Sequence, residues 1–163
     1  MPCANPALRV QRRGRTRPEA RTSCTASMVF RNDRRIMIAV DTSALMAIVL
    51  GEEPAGACME ILEAEPDVVI SAGTMAEALI VAARRNVADE MLKLIDGLGF
   101  NVVTVTAASA QRIAAAYDRW GKGIHRAGLN FGDCFAYEVA QSHGCRLLYV
   151  GDDFMKTDVK GAL

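Results

Sequence analysis

Four short stretches of this sequence carry carboxylates with no basic neighbour. They are VDTSAL (40–45), TMAEAL (74–79), LNFGDCFAY (129–137) and VGDDF (150–154). They hold Asp41, Glu77, Asp133 and the adjacent pair Asp152 and Asp153, and no Lys or Arg follows the last of these until Lys156. Taken singly, most have an ordinary explanation. Asp41 could cap a helix that starts after it. Asp133 suits a first helical turn, where the dipole favours an acid by well under about 1 kcal/mol. At least one of Asp152 and Asp153 reads as a turn residue. Glu77 is different, because it is the only ionisable residue in GTMAEALIVAA (73–83). A carboxylate on so apolar a helix needs a partner, since burying it unpaired is very costly. Taken together, clustered carboxylates without counter-charges repel one another unless a hard cation such as Mg2+ or Mn2+ holds them.

The elements that must position these acids alternate between two kinds. MIAV (37–40), DVVIS (67–71), NVVTVT (101–106) and RLLYV (146–150) read as strands; the first is continuously apolar, as in a strand covered on both faces. Between them lie helical segments: one from Asp41 to about Glu52, one from Pro54 to about Glu65, and one capped by Ser71 or Thr74 that runs to about Arg85. Further helices are VADEMLKLIDGLG, AASAQRIAAAYDRWG, with Ile113 and Tyr117 four residues apart, and FGDCFAYEVAQSHG, closed by Gly144. On the third helix Ala76, Leu79, Ile80 and Ala83 are expected to form the core-facing stripe. Strands alternating with helices imply an α/β fold with a parallel sheet and helices on both faces. Ligands in such sheets bind beyond the carboxyl ends of the strands. The first strand runs directly into Asp41 and the fourth into Gly151, Asp152 and Asp153.

Composition bounds the rest. The chain has 163 residues, 51% of them hydrophobic and 23% charged, which is ordinary globular composition for one domain. No apolar run approaches the roughly 18 residues a membrane span needs. Five scattered cysteines (Cys3, Cys24, Cys58, Cys134 and Cys145) form no C-x-x-C pair and are read as reduced thiols, Cys134 and Cys145 in the core. A formal net charge of zero hides a split: residues 1–36 hold nine Arg against Glu19 and Asp33, leaving 10 basic and 17 acidic residues in 37–163. The Arg-rich stretch has no hydrophobic period and reads as a disordered extension. A basic arm for nucleic acid is one reading of it; a start codon placed too early, with the functional chain beginning near Met28 or Met37, is the preferred one. The folded domain is expected to be 37–163.

At these residues the chain resembles a known family. VDTSAL, AEAL (76–79), KGIHRAGLNFGDCFAYEVA (122–140) and LLYVGDDFMKTDV (147–159) are similar to the PIN-domain ribonucleases, and specifically to the VapC-type toxins of bacterial toxin–antitoxin pairs. The resemblance covers essentially all of 37–163. It implies a three-layer PIN-like fold, with a central, mostly parallel sheet of four to five strands flanked by helices. It implies a cytoplasmic, Mg2+-dependent endoribonuclease, with Mn2+ as a possible substitute, whose acidic quartet is Asp41, Glu77, Asp133 and Asp153. Asp152 remains the alternative fourth acid. Asp41 and Asp133 would be the principal metal ligands, and Thr42 and Ser43 either hydrogen-bonding neighbours or helix caps. A homodimer and a cognate antitoxin, whose tail occludes the acidic groove, are the implied partners. Arg126 departs from the family, standing where a Pro is common after the loop histidine.

In the loop before Asn130, Lys122, His125 and Arg126 are the candidates for RNA phosphates beside an acidic site. Trp120 either stacks on a base or packs on the core, and His143 suits a helix end. Three rival readings differ in chemistry. A phosphohydrolase of the haloacid dehalogenase type needs a second Asp where Ser43 stands. A non-catalytic module would bind protein or RNA through the acidic groove. A metal-free ribonuclease would use His125 and His143 and survive chelation.

Overall fold

The computed structural model describes residues 37–163; the Arg-rich extension and the candidate starts before Met37 lie outside them. Four strands form one parallel sheet in the order β3-β2-β1-β4. They are β1 (Met37–Val40), β2 (Asp67–Ser71), β3 (Asn101–Val103) and β4 (Arg146–Leu148). The strands bury alternate residues on opposite faces, as a period of two requires. Ile38, Val40, Val68, Ile70 and Leu148 join one core, and Ala39, Val69 and Leu147 the other. Helices α1 (Thr42–Leu50), α2 (Ala55–Ala64), α3 (Ala72–Arg84) and α4 (Ala88–Leu98) supply the first core. Helices α5 (Ala107–Trp120) and α6 (Asp133–His143) supply the second, with Ile113 buried and Tyr117 packed on it. The expected three-layer α/β architecture is therefore present, with four strands. Fully buried side chains such as Ile38, Leu45, Ile70 and Leu147 each contribute roughly 1.5–3 kcal/mol by leaving water.

Two strands are shorter than their apolar runs. β3 stops at Val103 because Thr106 is taken as the N-cap of α5, in a reciprocal capping box with Ser109. β4 stops at Leu148, and the Val150 amide donates to the Ser43 hydroxyl instead of a ladder carbonyl. The C-terminal chain covers the outer edge of β4, where Leu147 pairs with Gly161.

One expectation is corrected. On α3 the buried positions are Thr74, Ala78 and Ala82, while Ala76, Ile80 and Ala83 face outward, Ile80 with 56% of its surface exposed. Leu79 is half-buried. The face toward the fold is made of small side chains, which let the helix approach its neighbours closely. With apolar residues all round, no charged face marked the phase of the helix.

The topology singles out one place. Chain order proceeds from β1 outward through β2 to β3, whereas β4 lies on the other side of β1. The sheet therefore switches direction at β1, and its carboxyl end is where such sheets open a crevice. Asp41 stands there.

Candidate active site

Asp41 follows the last residue of β1 and is the N-cap of α1. Its amide donates to Leu148 O at 2.9 Å, which ties it to β4. Its Oδ2 accepts from the Ser43 amide at 2.9 Å and from the Ser43 hydroxyl at 2.6 Å. Its Oδ1 is buried and, among the described residues, has no hydrogen-bond partner. A capping carboxylate thus keeps one oxygen free, in a position only 3% exposed. Burial raises its pKa, Ser43 and the Thr42 amide lower it in part, and Asp153 raises it further.

Glu77 lies on α3, one turn and a half in from the end of β2. Its Oε2 accepts from the Thr42 hydroxyl at 2.9 Å, so α1 and α3 meet at the site. Burial is the main cause of its raised pKa; the Thr42 hydrogen bond opposes it and Asp41 adds to it. Thr42 and Ser43 therefore each reach an acid, Thr42 to Glu77 and Ser43 to Asp41, beyond any capping role.

Asp133 opens α6. Asn130 and Asp133 cap one another: the Asn130 amide donates to Asp133 Oδ2 at 2.7 Å, and the Asp133 amide donates to Asn130 Oδ1 at 3.0 Å. The helix-start reading of this acid is thus correct, and the Asn130 amide engages one of its two oxygens. Its pKa is pushed up to about 7, chiefly by burial, then by the charges of Asp41, Glu77 and Asp153, with the Asn130 amide opposing. Asp153 is exposed, beside the 3-10 turn Phe154–Lys156. Of the two adjacent acids, Asp153 is the one whose charge acts on Asp41 and Asp133. Asn130 was not singled out by sequence, although an Asn three residues before an acid at a helix start has the spacing of a capping box.

The charges of Asp41, Glu77 and Asp153 all act on Asp133, and the ion pairs found among the described residues lie elsewhere. Arg112 pairs with Glu138, Arg119 with Asp158 and Arg146 with Glu65. Among the described residues no three His, Cys, Asp or Glu side chains are drawn close enough to encircle a metal. The residues nevertheless fit a hexa-coordinate hard cation. Mg2+ keeps several waters and binds through one or two carboxylates, and among the described residues the Oδ1 of Asp41 is a buried carboxylate oxygen with no donor. Asp41, Glu77 and Asp133 all have raised pKa values, with burial as the largest cause in each, a pattern that clusters at functional sites.

The loop candidates sit beside α5. Lys122 and Arg126 are exposed. His125 is half-buried, packs edge-on against Trp120 with ring centres 4.7 Å apart, and accepts from the Ala127 amide at Nδ1. The loop is pinned by Lys122 N–H to Leu129 O and Leu129 N–H to Trp120 O. Trp120 donates to the Tyr137 hydroxyl at 2.9 Å, and Arg119 lies 4.4 Å over its ring. Both its face and its edge are engaged, and half-buried it packs against the second core. His143 contacts Val139 O at the end of α6 opposite Asp133. Cys134 is fully buried and Cys145 half-buried.

The model of the PIN domain family matches residues 38–160. The chain belongs to the PIN-domain family. Within it, the chain groups with the VapC ribonucleases: it is 44% identical over 125 residues to VapC ribonuclease Mb2004c of Mycobacterium bovis, covering 74% of this chain and 90% of that one. Solved structures share the fold. The crystal structure of Mycobacterium tuberculosis VapC20, titled a Sarcin-Ricin loop cleaving toxin, matches with a TM-score of 0.62 at 20% identity, over 75% of this chain and 95% of that one. A toxin–antitoxin complex from Klebsiella pneumoniae matches with a TM-score of 0.58 at 20% identity, over 74% and 92%. Membership in this family removes the haloacid dehalogenase reading.

Proposed function

We propose that the chain is a Mg2+-dependent endoribonuclease that acts as the toxin of a toxin–antitoxin pair, with 37–163 as its nuclease domain. The observation that carries this reading is the free, buried Oδ1 of Asp41 at the sheet's switch point, facing acids held in turn by Thr42 and Asn130. Asp41 and Asp133 are the principal metal ligands, and Glu77 and Asp153 complete the acidic set. Mn2+ is a substitute of the same hard-oxygen preference. When bound, the cation supplies a polarised phosphodiester oxygen and a water of lowered pKa.

The chain's own residues do the rest. Ser43 holds Asp41 by two hydrogen bonds, and Thr42 holds Glu77 by one that favours its carboxylate form against burial. The Asn130 amide fixes one oxygen of Asp133 so that the other is presented outward. Lys122, Arg126 and His125 line the approach and offset repulsion between RNA phosphates and the acids.

The RNA substrate, the antitoxin, a homodimer and a cytoplasmic location belong to the same proposal. A net acidic 37–163 region suits a basic antitoxin segment. An exposed apolar surface supports a second copy: Ile80 is 56% and Phe131 67% exposed, the latter at a groove shared with Val105, Ala114, Tyr117 and Phe135. No helix among the described residues is long and apolar enough to cross a membrane. The test is cleavage of total RNA by the full chain with Mg2+, with EDTA, and with Mg2+ plus the antitoxin. Cleavage that EDTA and antitoxin both abolish supports the reading. Cleavage that survives EDTA moves the chemistry to a metal-free site such as His125.

A further inference from the structure

Gly132 precedes Asp133 and has φ −64° and ψ −44°, an ordinary right-handed helical conformation open to every residue. Gly132 is the N-cap of α6, and this conformation does not require glycine, so the backbone angles give no reason for it. Space does. A Cβ added to Gly132 would overlap the carboxylate carbon and both oxygens of Glu77. The opposite helix shows the same arrangement: a Cβ added to Gly73 on α3 would overlap the ring of Phe135 on α6. Each helix thus contributes one glycine and one side chain that lies on the other's glycine.

We infer that Gly132 is a positioning residue of the acidic site: its missing side chain lets the Glu77 carboxylate lie against the turn that presents Asp133, and the Gly73–Phe135 contact holds α3 and α6 at that spacing. A methyl group at 132 forces the Glu77 carboxylate away, and with it the 2.9 Å hydrogen bond from Thr42. The two acids then no longer face one cation together. Glycine at 132 therefore serves the neighbour it admits rather than its own conformation. This inference deepens the proposed nuclease reading and rests on it for its catalytic consequence, while the Gly132–Glu77 contact itself does not.

The experiment is a double-mutant cycle on the full chain: wild type, Gly132→Ala, Glu77→Ala and the double variant. Each is read by its melting temperature in EDTA and by the Mn2+ concentration that half-saturates the rise in melting temperature. If Gly132 acts through Glu77, Gly132→Ala alone weakens Mn2+ by about tenfold, the scale on which supporting residues tune a metal site. In the Glu77→Ala background it changes Mn2+ affinity and melting temperature by little, because the two effects share one contact. Equal losses in both backgrounds, or a Gly132→Ala protein that matches wild type, would overturn the inference. Adding Glu77→Asp to Gly132→Ala shortens the side chain by one methylene and is expected to restore part of the lost affinity. If wild type neither cleaves RNA nor responds to Mn2+, the nuclease reading fails. The positioning claim is then decided by the EDTA melting temperatures alone: destabilisation by Gly132→Ala must disappear in the Glu77→Ala background, and its persistence overturns the claim.

Discussion

The hydroxyl of Thr42 donates to Oε2 of Glu77 across 2.9 Å, joining the first residue of α1 to the second turn of α3. Thr42 is 8% exposed and stands next to Asp41, so one short segment places one acid directly and holds another through its neighbour. The contact also opposes the rise in the Glu77 pKa that burial causes.

Thr42→Val keeps the shape and removes the donor. The cost is expected to be roughly 1–3 kcal/mol, for an acceptor left without its partner. Because the lost hydrogen bond had favoured the carboxylate, the Glu77 pKa rises further. The acid limb of the pH–rate profile for RNA cleavage should therefore move to higher pH, measured beside wild type under identical Mg2+.

Stability without metal should fall as pH rises. The folded pKa of Asp133, about 7, lies above its ordinary value of 3.8. Between those values the native state holds a proton that the unfolded state has released, so raising the pH through this window removes stability. Asp41 and Glu77 are shifted in the same direction. Thermal melts in EDTA at pH 5 and pH 8 should show the lower melting temperature at pH 8. Added Mg2+ should raise it more at pH 8 than at pH 5, and an equal rise at both would count against metal binding by these acids.

The adjacent acids should separate cleanly. Asp153→Asn is expected to lower cleavage by at least about tenfold, on the scale of a residue supporting a metal. Asp152→Asn should stay within about twofold of wild type, as surface substitutions away from a site usually do. Steady-state cleavage of one RNA by the two variants decides it, and the reverse ranking would transfer the fourth acidic role to Asp152.

Lys122 and Arg126 should act on affinity rather than on chemistry. If each meets one phosphate, replacing both by Ala reduces the slope of log K against log salt by about 1.4, at roughly 0.7 per contact with a single strand. Titrations of a catalytically silent Asp41→Asn protein with RNA across salt concentrations would read this. Melting temperature should not change, because both side chains are exposed.

Much of this site was legible in the sequence. β1 is a continuously apolar strand that runs into Asp41, and the parallel-sheet rule alone sends the search to its carboxyl end. Asp133 was legible as a helix start and, through its family motif, as a candidate site residue; the structure shows the helix start, with the Asn130 amide on one carboxylate oxygen. What stayed hidden depends on residues distant in sequence. Thr42 and Glu77 are 35 residues apart, and only the packing of α1 on α3 makes them partners. Gly132, read only as part of the last helix, gives no sign of its neighbour until the Glu77 carboxylate is seen in the place of its side chain. The phase of α3 was misread because Ile80 and Ala83 are as apolar as the residues that are buried, and hydrophobic periodicity needs a polar face to define its direction. The short β3 and β4 reflect the hydroxyls of Ser109 and Ser43, which take the Thr106 and Val150 amides that a ladder would otherwise use.

The most direct measurement is Mn2+ binding and RNA cleavage by Asp41→Asn beside wild type. The substitution replaces the unpartnered Oδ1 carboxylate with a neutral amide of the same shape. The expected result is a protein with an undiminished melting temperature in EDTA, since a desolvated charge has been removed, that no longer binds Mn2+ and no longer cleaves RNA. Undiminished cleavage by Asp41→Asn, with Mg2+ still required, would contradict the account at its centre.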